Sequence, residues 1–234
     1  MAFFLIFVVF VLGAITLIFT LGRARYFFSE KILRILAEMI LGLHGIKLKV
    51  HHRPDVFSSE QLIFISNHST SLDMLVILAL GLPRTRFFLS KKTIPIFPVT
   101  ALAVLARVFY LDTQDFPVQR ERQFAQACRE LKKSGESAFL TPEGTRITTG
   151  EFGKFNKGAF HLAAELKCSI QPLYLSIPRN INRGRSWGVQ PGTVEVCFLP
   201  LISPPALSHV RGPERKPYLE KYAREVREKY EQHT

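Results

Sequence analysis

A histidine and an aspartate stand five positions apart in a polar stretch that directly follows an apolar run. The run is residues 62–65, and the pair is His68 and Asp73. A neutral imidazole is the natural general base at cytoplasmic pH, and a carboxylate beside it can fix its tautomer and stabilise the imidazolium. We therefore predict that His68 activates a hydroxyl group and that Asp73 orients it. The alternative is a loop histidine followed by a helix-start aspartate.

A second polar loop follows another short apolar run about 70 residues later. It contains Glu143, Gly144, Thr145 and Arg146. Glycine lets the backbone approach a ligand closely, and the planar guanidinium of arginine suits a phosphate. The loop is therefore predicted to hold an anionic substrate, with an ordinary solvated turn as the alternative.

The net charge of +12 indicates an anionic partner, either nucleic acid or an anionic membrane surface. Hydrophobic residues make up 47% of the chain and charged residues 21%, so a packed domain is expected rather than disorder. No aromatic and basic recognition motif for nucleic acid is apparent. We therefore expect the membrane and no nucleic acid.

Residues 1–22 carry no charge and are almost all apolar. About 20 such residues suffice to cross a bilayer core, and the pattern fits a cleaved signal peptide poorly. Basic residues follow directly, so a spanning helix would leave the body of the protein in the cytoplasm. A hairpin that inserts only partway is the alternative.

Three scattered cysteines, Cys128, Cys168 and Cys197, fit buried free thiols better than a metal site.

From residue 46 onward, strand-like and helix-like runs alternate, which predicts an α/β fold with a central mixed sheet flanked by helices. A hydrophobic helix and an amphipathic helix over residues 29–44 precede it. We accordingly divide the chain into membrane-anchoring helices, residues 1–45, and a catalytic domain, residues 46–234. The predicted strands are 46–50, 62–66, 86–89, 108–111, 137–140, 169–177 and 193–199. The predicted helices are 72–80, 97–106, 118–133, 157–166 and 215–231. The mixed charges of the last helix indicate a solvated helix face rather than a binding site.

Between Asp73 and Asp112 every charged residue is positive. Lys91 and Lys92 are followed by apolar residues, a combination that suits contact with anionic headgroups. The alternative is a buried apolar pair with lysines that reach past it to water.

These segments together resemble the glycerolipid acyltransferases typified by lysophosphatidic acid acyltransferase, over roughly residues 46–199. The matching motifs are Asn67-His68-x4-Asp73, Lys91-Lys92 with Pro98, Pro142-Glu143-Gly144-Thr145-Arg146, Phe155-Asn156-Lys157-Gly158-Ala159-Phe160 and Ile170-Gln171-Pro172-Leu173. The resemblance implies that His68 is the catalytic base and Asp73 its partner. It implies substrate contacts from Asn67, Glu143, Gly144, Thr145, Arg146 and Lys92, the last as a donor to the oxyanion.

One position departs from the family. Thr113 stands where the second motif has an arginine that is associated with the acceptor's phosphate. Arg107, Arg120 or Arg122 could substitute for it, or the acceptor could carry another headgroup, as in lyso-ornithine lipid.

The resemblance implies a membrane-bound O-acyltransferase that acylates the free hydroxyl of a lysolipid, converting lysophosphatidic acid to phosphatidic acid. The donor would be acyl-CoA or acyl carrier protein, with no cofactor or metal. A lipid hydrolase that uses water as acceptor is a further alternative. The expected location is the bacterial inner membrane, with the catalytic domain in the cytoplasm and an anionic lipid surface as partner.

Overall fold

The computed structural model defines the α/β part of the chain and the helix before it. It describes residue 11 and residues 27–232, except 55–56, 58–59, 97–99, 101–102, 105, 114, 150, 184–187 and 205–213. The hydrophobic helix predicted over residues 1–22 therefore lies outside the described residues, as does most of the helix predicted over 97–106. Among the helices that are described, none combines the length and the apolar character needed to cross a bilayer.

A seven-stranded sheet forms the centre of the fold, and each predicted strand is confirmed to within one or two residues. The strands are β1 (Ile46–His51), β2 (Ile63–Ser66), β3 (Thr85–Ser90), β4 (Phe109–Leu111), β5 (Ser137–Leu140), β6 (Ile170–Ser176) and β7 (Gly192–Phe198). All four residues of β2 and of β5 are buried. Continuous apolar runs of this kind are typical of strands that are covered on both faces.

The sheet is mixed, as predicted. The strand order is β1-β7-β6-β2-β5-β3-β4. Every neighbouring pair is parallel except β6 and β7, which are antiparallel. Because β2, β5 and β6 run side by side in one direction, the loops that follow them emerge at the same edge of the sheet. This edge is where open α/β sheets place their ligands.

Helices cover both faces of the sheet. They are α1 (Leu33–Leu43), α2 (Asp73–Ala79), α3 (Pro117–Ser134), α4 (Gly158–Leu166) and α5 (Arg215–Gln232), with a π-helical turn before α1 and a short 3-10 helix, Lys91–Thr93, after β3. One apolar core joins α1 and α2 to the sheet. A second core joins α3, α4 and α5 to it.

The helix α5 exposes most of its charged side chains, as its mixed charges predict, but its other face is buried. Its residues Leu219, Ala223, Val226 and Tyr230 recur at helical spacing and are buried in the second core. The many charges of this segment hide the apolar stripe from a reading of composition alone. As a consequence, α5 packs beneath the loops that follow β2, β5 and β6.

Candidate active site

His68 and Asp73 are joined by a short hydrogen bond. The Nδ1 atom of His68 lies 2.7 Å from Oδ2 of Asp73. The imidazole is about one quarter exposed, whereas the Asp73 carboxylate is almost fully buried. With Nδ1 bound to the carboxylate, Nε2 is the ring atom left to face a substrate. The geometry thus matches the base and orienting carboxylate that the spacing predicts.

The loop backbone holds the Asp73 carboxylate in place. It accepts bonds from the amides of Ser69 (2.8 Å) and Thr70 (3.1 Å), and from the Thr70 hydroxyl (2.6 Å). Asp73 is also the first residue of α2, where the helix dipole favours negative charge. These contacts hold the Asp73 carboxylate in one orientation. They also use Thr70 as a structural residue rather than as a nucleophile.

Glu143 binds protein backbone rather than solvent. Its carboxylate accepts bonds from the amides of His68 (2.7 Å) and Gly153 (2.8 Å) and is 5% exposed. Burial raises the pKa of this carboxyl, and the two amide bonds oppose that shift. Since the amide of Ile147 also donates to the His68 carbonyl at 2.7 Å, the two polar loops are clamped together. Glu143 therefore positions His68, and its predicted substrate contact stays a prediction.

Asn67 and Tyr230 form a buried polar junction directly before His68. The Asn67 side chain exchanges two 2.9 Å bonds with the backbone of Leu175 on β6. The Asn67 amide donates to the Tyr230 hydroxyl at 3.0 Å, and that hydroxyl donates to the Leu173 carbonyl. Burial raises the pKa of Tyr230 well above its ordinary value, so the phenol stays protonated. Sequence reasoning missed Tyr230 because 163 residues separate it from Asn67.

A cavity of about 540 Å³ opens beside His68. The side chains of Thr70, Ile147 and Phe152 line one part of it, and the segment that follows β6 lines another, including Arg179 and Arg183. Apolar and polar groups are mixed on its walls, as in sites that position a ligand with a polar end.

Four of the predicted substrate-binding residues lie outside this cavity. Gly144 has φ +71°, a left-handed conformation that favours glycine, and this turns the loop so that Thr145 and Arg146 are exposed. Lys92 is exposed on the 3-10 helix after β3, two strands away from β2. The structure thus brings Asn67, His68, Asp73 and Glu143 together. The substrate contacts predicted for Gly144, Thr145, Arg146 and Lys92 remain predictions.

The arginines suggested as substitutes for Thr113 do not line the cavity either. Arg120 donates to the Asp112 carbonyl at 2.8 Å, and Arg122 is exposed on α3. Thr113 itself follows the edge strand β4 and bonds Asp115. At about 4.8 Å per strand, this position is roughly 14 Å along the sheet from β2.

A comparison with protein families identifies the chain. A family model described as Acyltransferase matches residues 47–176, which is more than half of the chain. The chain therefore belongs to the acyltransferase family. The matched region includes every residue of the His68 and Glu143 clamp and ends at the last residue of β6.

Individual relatives agree with this assignment. The chain is 32% identical over 118 residues to the chloroplastic 1-acyl-sn-glycerol-3-phosphate acyltransferase LPAT1 of Arabidopsis thaliana, covering 50% of this chain and 32% of that protein. It is 28% identical over 190 residues to the human 1-acyl-sn-glycerol-3-phosphate acyltransferase alpha, covering 77% and 63%. The chain thus spans about a third of the first of these relatives and under two thirds of the second.

The fold also has a counterpart among solved structures. The crystal structure of PlsC from Thermotoga maritima, a 1-acyl-sn-glycerophosphate acyltransferase, matches with a TM-score of 0.68 and covers 97% of this chain and 95% of that one. At 18% identity the likeness concerns the fold alone.

Proposed function

We propose that this protein transfers a fatty acyl group from an acyl thioester to the free hydroxyl of lysophosphatidic acid, giving phosphatidic acid. The observation that carries the proposal is the His68–Asp73 pair, which lies within the segment that matches the family and whose His68 lines a cavity. The names of the relatives support the choice of lysophosphatidic acid as the acceptor.

The chemistry follows from the orientation of the imidazole. His68 accepts the hydroxyl proton at Nε2 while the acceptor oxygen attacks the thioester carbonyl carbon. Asp73 stabilises the imidazolium at Nδ1. When the tetrahedral intermediate collapses, the C–S bond breaks and the imidazolium returns the proton to the departing thiolate. The thiol product is CoA or acyl carrier protein, and the residues supply the acid and base without a further group.

The lipid surface on which the enzyme would work belongs to the same proposal. A lipid acceptor is presented by a membrane, and α1 exposes Ile35, Met39 and Leu43 in one stripe of four-residue spacing. Ile94 and Ile96, which follow Lys92, are also exposed. We propose that both segments contact an anionic lipid surface. Arg86, by contrast, is buried and pairs with Glu130 at 2.8 Å, so it takes no part.

The test is acyl transfer by the purified protein to a panel of lysolipids, read by mass spectrometry. Acyl-CoA and acyl carrier protein are supplied in turn, and lysophosphatidic acid, lyso-ornithine lipid and no acceptor are compared. We expect phosphatidic acid as the main product. Acylation of lyso-ornithine lipid alone would change the acceptor, and release of free fatty acid without an acceptor would identify a hydrolase.

A further inference from the structure

The segment that follows β6 carries two arginines into the cavity beside His68. Arg179 and Arg183 both line that cavity, and both lie beyond residue 176, where the family match ends. Because β6 is the direct neighbour of β2 in the sheet, its following segment lies closer to His68 than the segment that follows β4.

The backbone of this segment is fixed by its own hydrogen bonds. The amide of Ile181 donates to the Pro178 carbonyl at 2.9 Å, and the Gln190 amide donates to the Ile181 carbonyl at 2.8 Å. The Asn182 side chain donates to the Gly188 carbonyl at 3.1 Å. Ile181 and Asn182 are each 2% exposed. A segment anchored by two buried residues presents its arginines in a defined position, which lowers the entropic cost of binding.

The two guanidinium groups are placed differently. Nη2 of Arg179 donates to the carbonyls of Thr148 (3.1 Å) and Thr149 (2.6 Å), which ties the segment to the loop after β5. The described contacts of Arg179 involve Nη2 only and leave its other N–H groups for a ligand. Arg183 is exposed, and within the described residues no carboxylate lies within ion-pair distance of it.

The carboxylates that line the cavity do not offset the positive charge of the two arginines. The Glu143 carboxylate also lines the cavity, but it is directed onto the two backbone amides from which it accepts hydrogen bonds. Glu151 also lines the cavity, but it is exposed to water. Two arginines therefore face one solvated carboxylate. Arginine at such a site binds phosphate through paired, charge-assisted hydrogen bonds.

We infer that Arg179 and Arg183 bind the phosphate of the lysolipid acceptor and hold its free hydroxyl at His68. The inference rests on the proposed function, since it assigns the headgroup site of the same cavity. Phosphate groups also occur in CoA, so the donor is the second source of the same chemistry. We assign the site to the acceptor because it lies in the cavity that His68 itself lines, where the hydroxyl must be.

The experiment measures the KM of acceptor and donor separately for Arg183→Gln and Arg179→Lys in the full chain. Arg183 is exposed, so its replacement leaves the fold intact, and lysine at position 179 keeps the charge and can still reach a carbonyl. Arg122→Gln, at another exposed arginine on α3 that does not line the cavity, is the matched control. Each variant is assayed with acyl-CoA and with acyl carrier protein, which carries no nucleotide phosphates.

We expect Arg183→Gln to raise the acceptor KM about tenfold, as for loss of one charge-assisted hydrogen bond, with a smaller rise for Arg179→Lys. Donor KM and the Arg122→Gln control should stay unchanged. A raised KM for acyl-CoA alone, or unchanged constants in both variants, would overturn the inference. If the unmodified protein fails to acylate lysophosphatidic acid at all, the proposed function fails instead, and the two failures are thus distinguishable.

Discussion

At the scale of single residues, the site depends on buried carboxylates that are satisfied by backbone amides. Asp73 accepts bonds from two amides and a hydroxyl, and Glu143 accepts bonds from two amides. A buried ionised group without such partners would cost several kcal/mol. The two carboxylates therefore fix the conformation of the loops, and this conformation sets the position of His68.

We expect His68→Ala to lower kcat by about 10²–10⁴, the usual contribution of a general base. Asp73→Asn should lower it by a similar factor, because the amide cannot stabilise the imidazolium and tends to select the wrong tautomer. Steady-state acyl transfer, with circular dichroism as the folding control, checks both. A His68→Ala variant that folds and keeps most of its activity would contradict the base assignment.

The thiol of Cys168 gives a prediction for pH. Burial raises its pKa from 9.0 to about 12, so the folded protein holds this proton more tightly than the unfolded chain does. Its contribution to stability is complete below pH 9 and is lost between pH 9 and 12 as the unfolded chain releases the proton. At pH 8 we expect iodoacetamide to modify Cys168 at least tenfold more slowly than Cys197, which is partly exposed. Peptide mass spectrometry measures both rates, and urea-unfolded protein serves as the control. Equal rates in the folded protein would show that Cys168 is accessible.

At the scale of secondary-structure elements, α5 completes the active edge of the sheet. The ring of Tyr230 packs edge-on against Phe152, Phe155 and Tyr174. Its hydroxyl bridges Asn67, directly after β2, and Leu173 in the middle of β6, and Arg227 donates to the Phe152 carbonyl at 3.1 Å. A helix outside the family match thus fixes the residue that precedes His68.

Tyr230→Phe should therefore lower kcat while leaving both KM values unchanged. It leaves the Asn67 amide buried without its partner, at a cost of about 1–3 kcal/mol, or a fall in Tm of roughly 2–10 °C for a chain of this size. Tyr222→Phe is the matched control, because Tyr222 lies on the same helix and its hydroxyl donates to the carbonyl of Ser203, outside the catalytic loops. A loss of stability with kcat intact would limit Tyr230 to a structural role.

The sequence predicts the secondary-structure elements better than it predicts which strands and side chains pair with one another. Apolar runs bounded by polar residues reveal all seven strands, and the five-residue spacing of His68 and Asp73 predicts their hydrogen bond. Neither pattern carries strand order, and so the antiparallel pairing of β6 with β7 is not predictable from it. The partners of Glu143 and Asn67 are equally hidden, because the His68 amide is 75 residues from Glu143 and Leu175 is 108 residues from Asn67.

At the scale of the whole molecule, one helix serves both the core and the exterior. Leu33, Leu36 and Leu41 of α1 are buried against the domain, while Ile35, Met39 and Leu43 are about half exposed. The helical spacing of its apolar residues does not by itself distinguish contact with the domain from contact with the membrane. The structure shows apolar residues on both sides of it.

Removal of residues 1–22 should leave a weaker, reversible attachment to anionic vesicles. An apolar face beside basic residues binds such lipid, and each nearby lysine or arginine adds about 1 kcal/mol. Since salt screens this attraction, the truncated chain should co-sediment at low salt and be released at high salt. Serine at positions 35, 39 and 43 should abolish binding, whereas Leu201→Ser, at an exposed site elsewhere, should not. Truncated protein that stays in the supernatant at low salt would rule out the surface contact.

The position of Tyr230 has a consequence for how the enzyme is made. A ribosome delivers the catalytic loop about 160 residues before the hydroxyl that holds it. The strand β1 likewise cannot pair until β7 has been synthesised, because β7 is its neighbour in the sheet. A growing chain that already contains every motif residue therefore still lacks a finished site. We therefore expect the proposed acyl transfer only after translation has passed α5, and a chain that ends just before this helix should be inert.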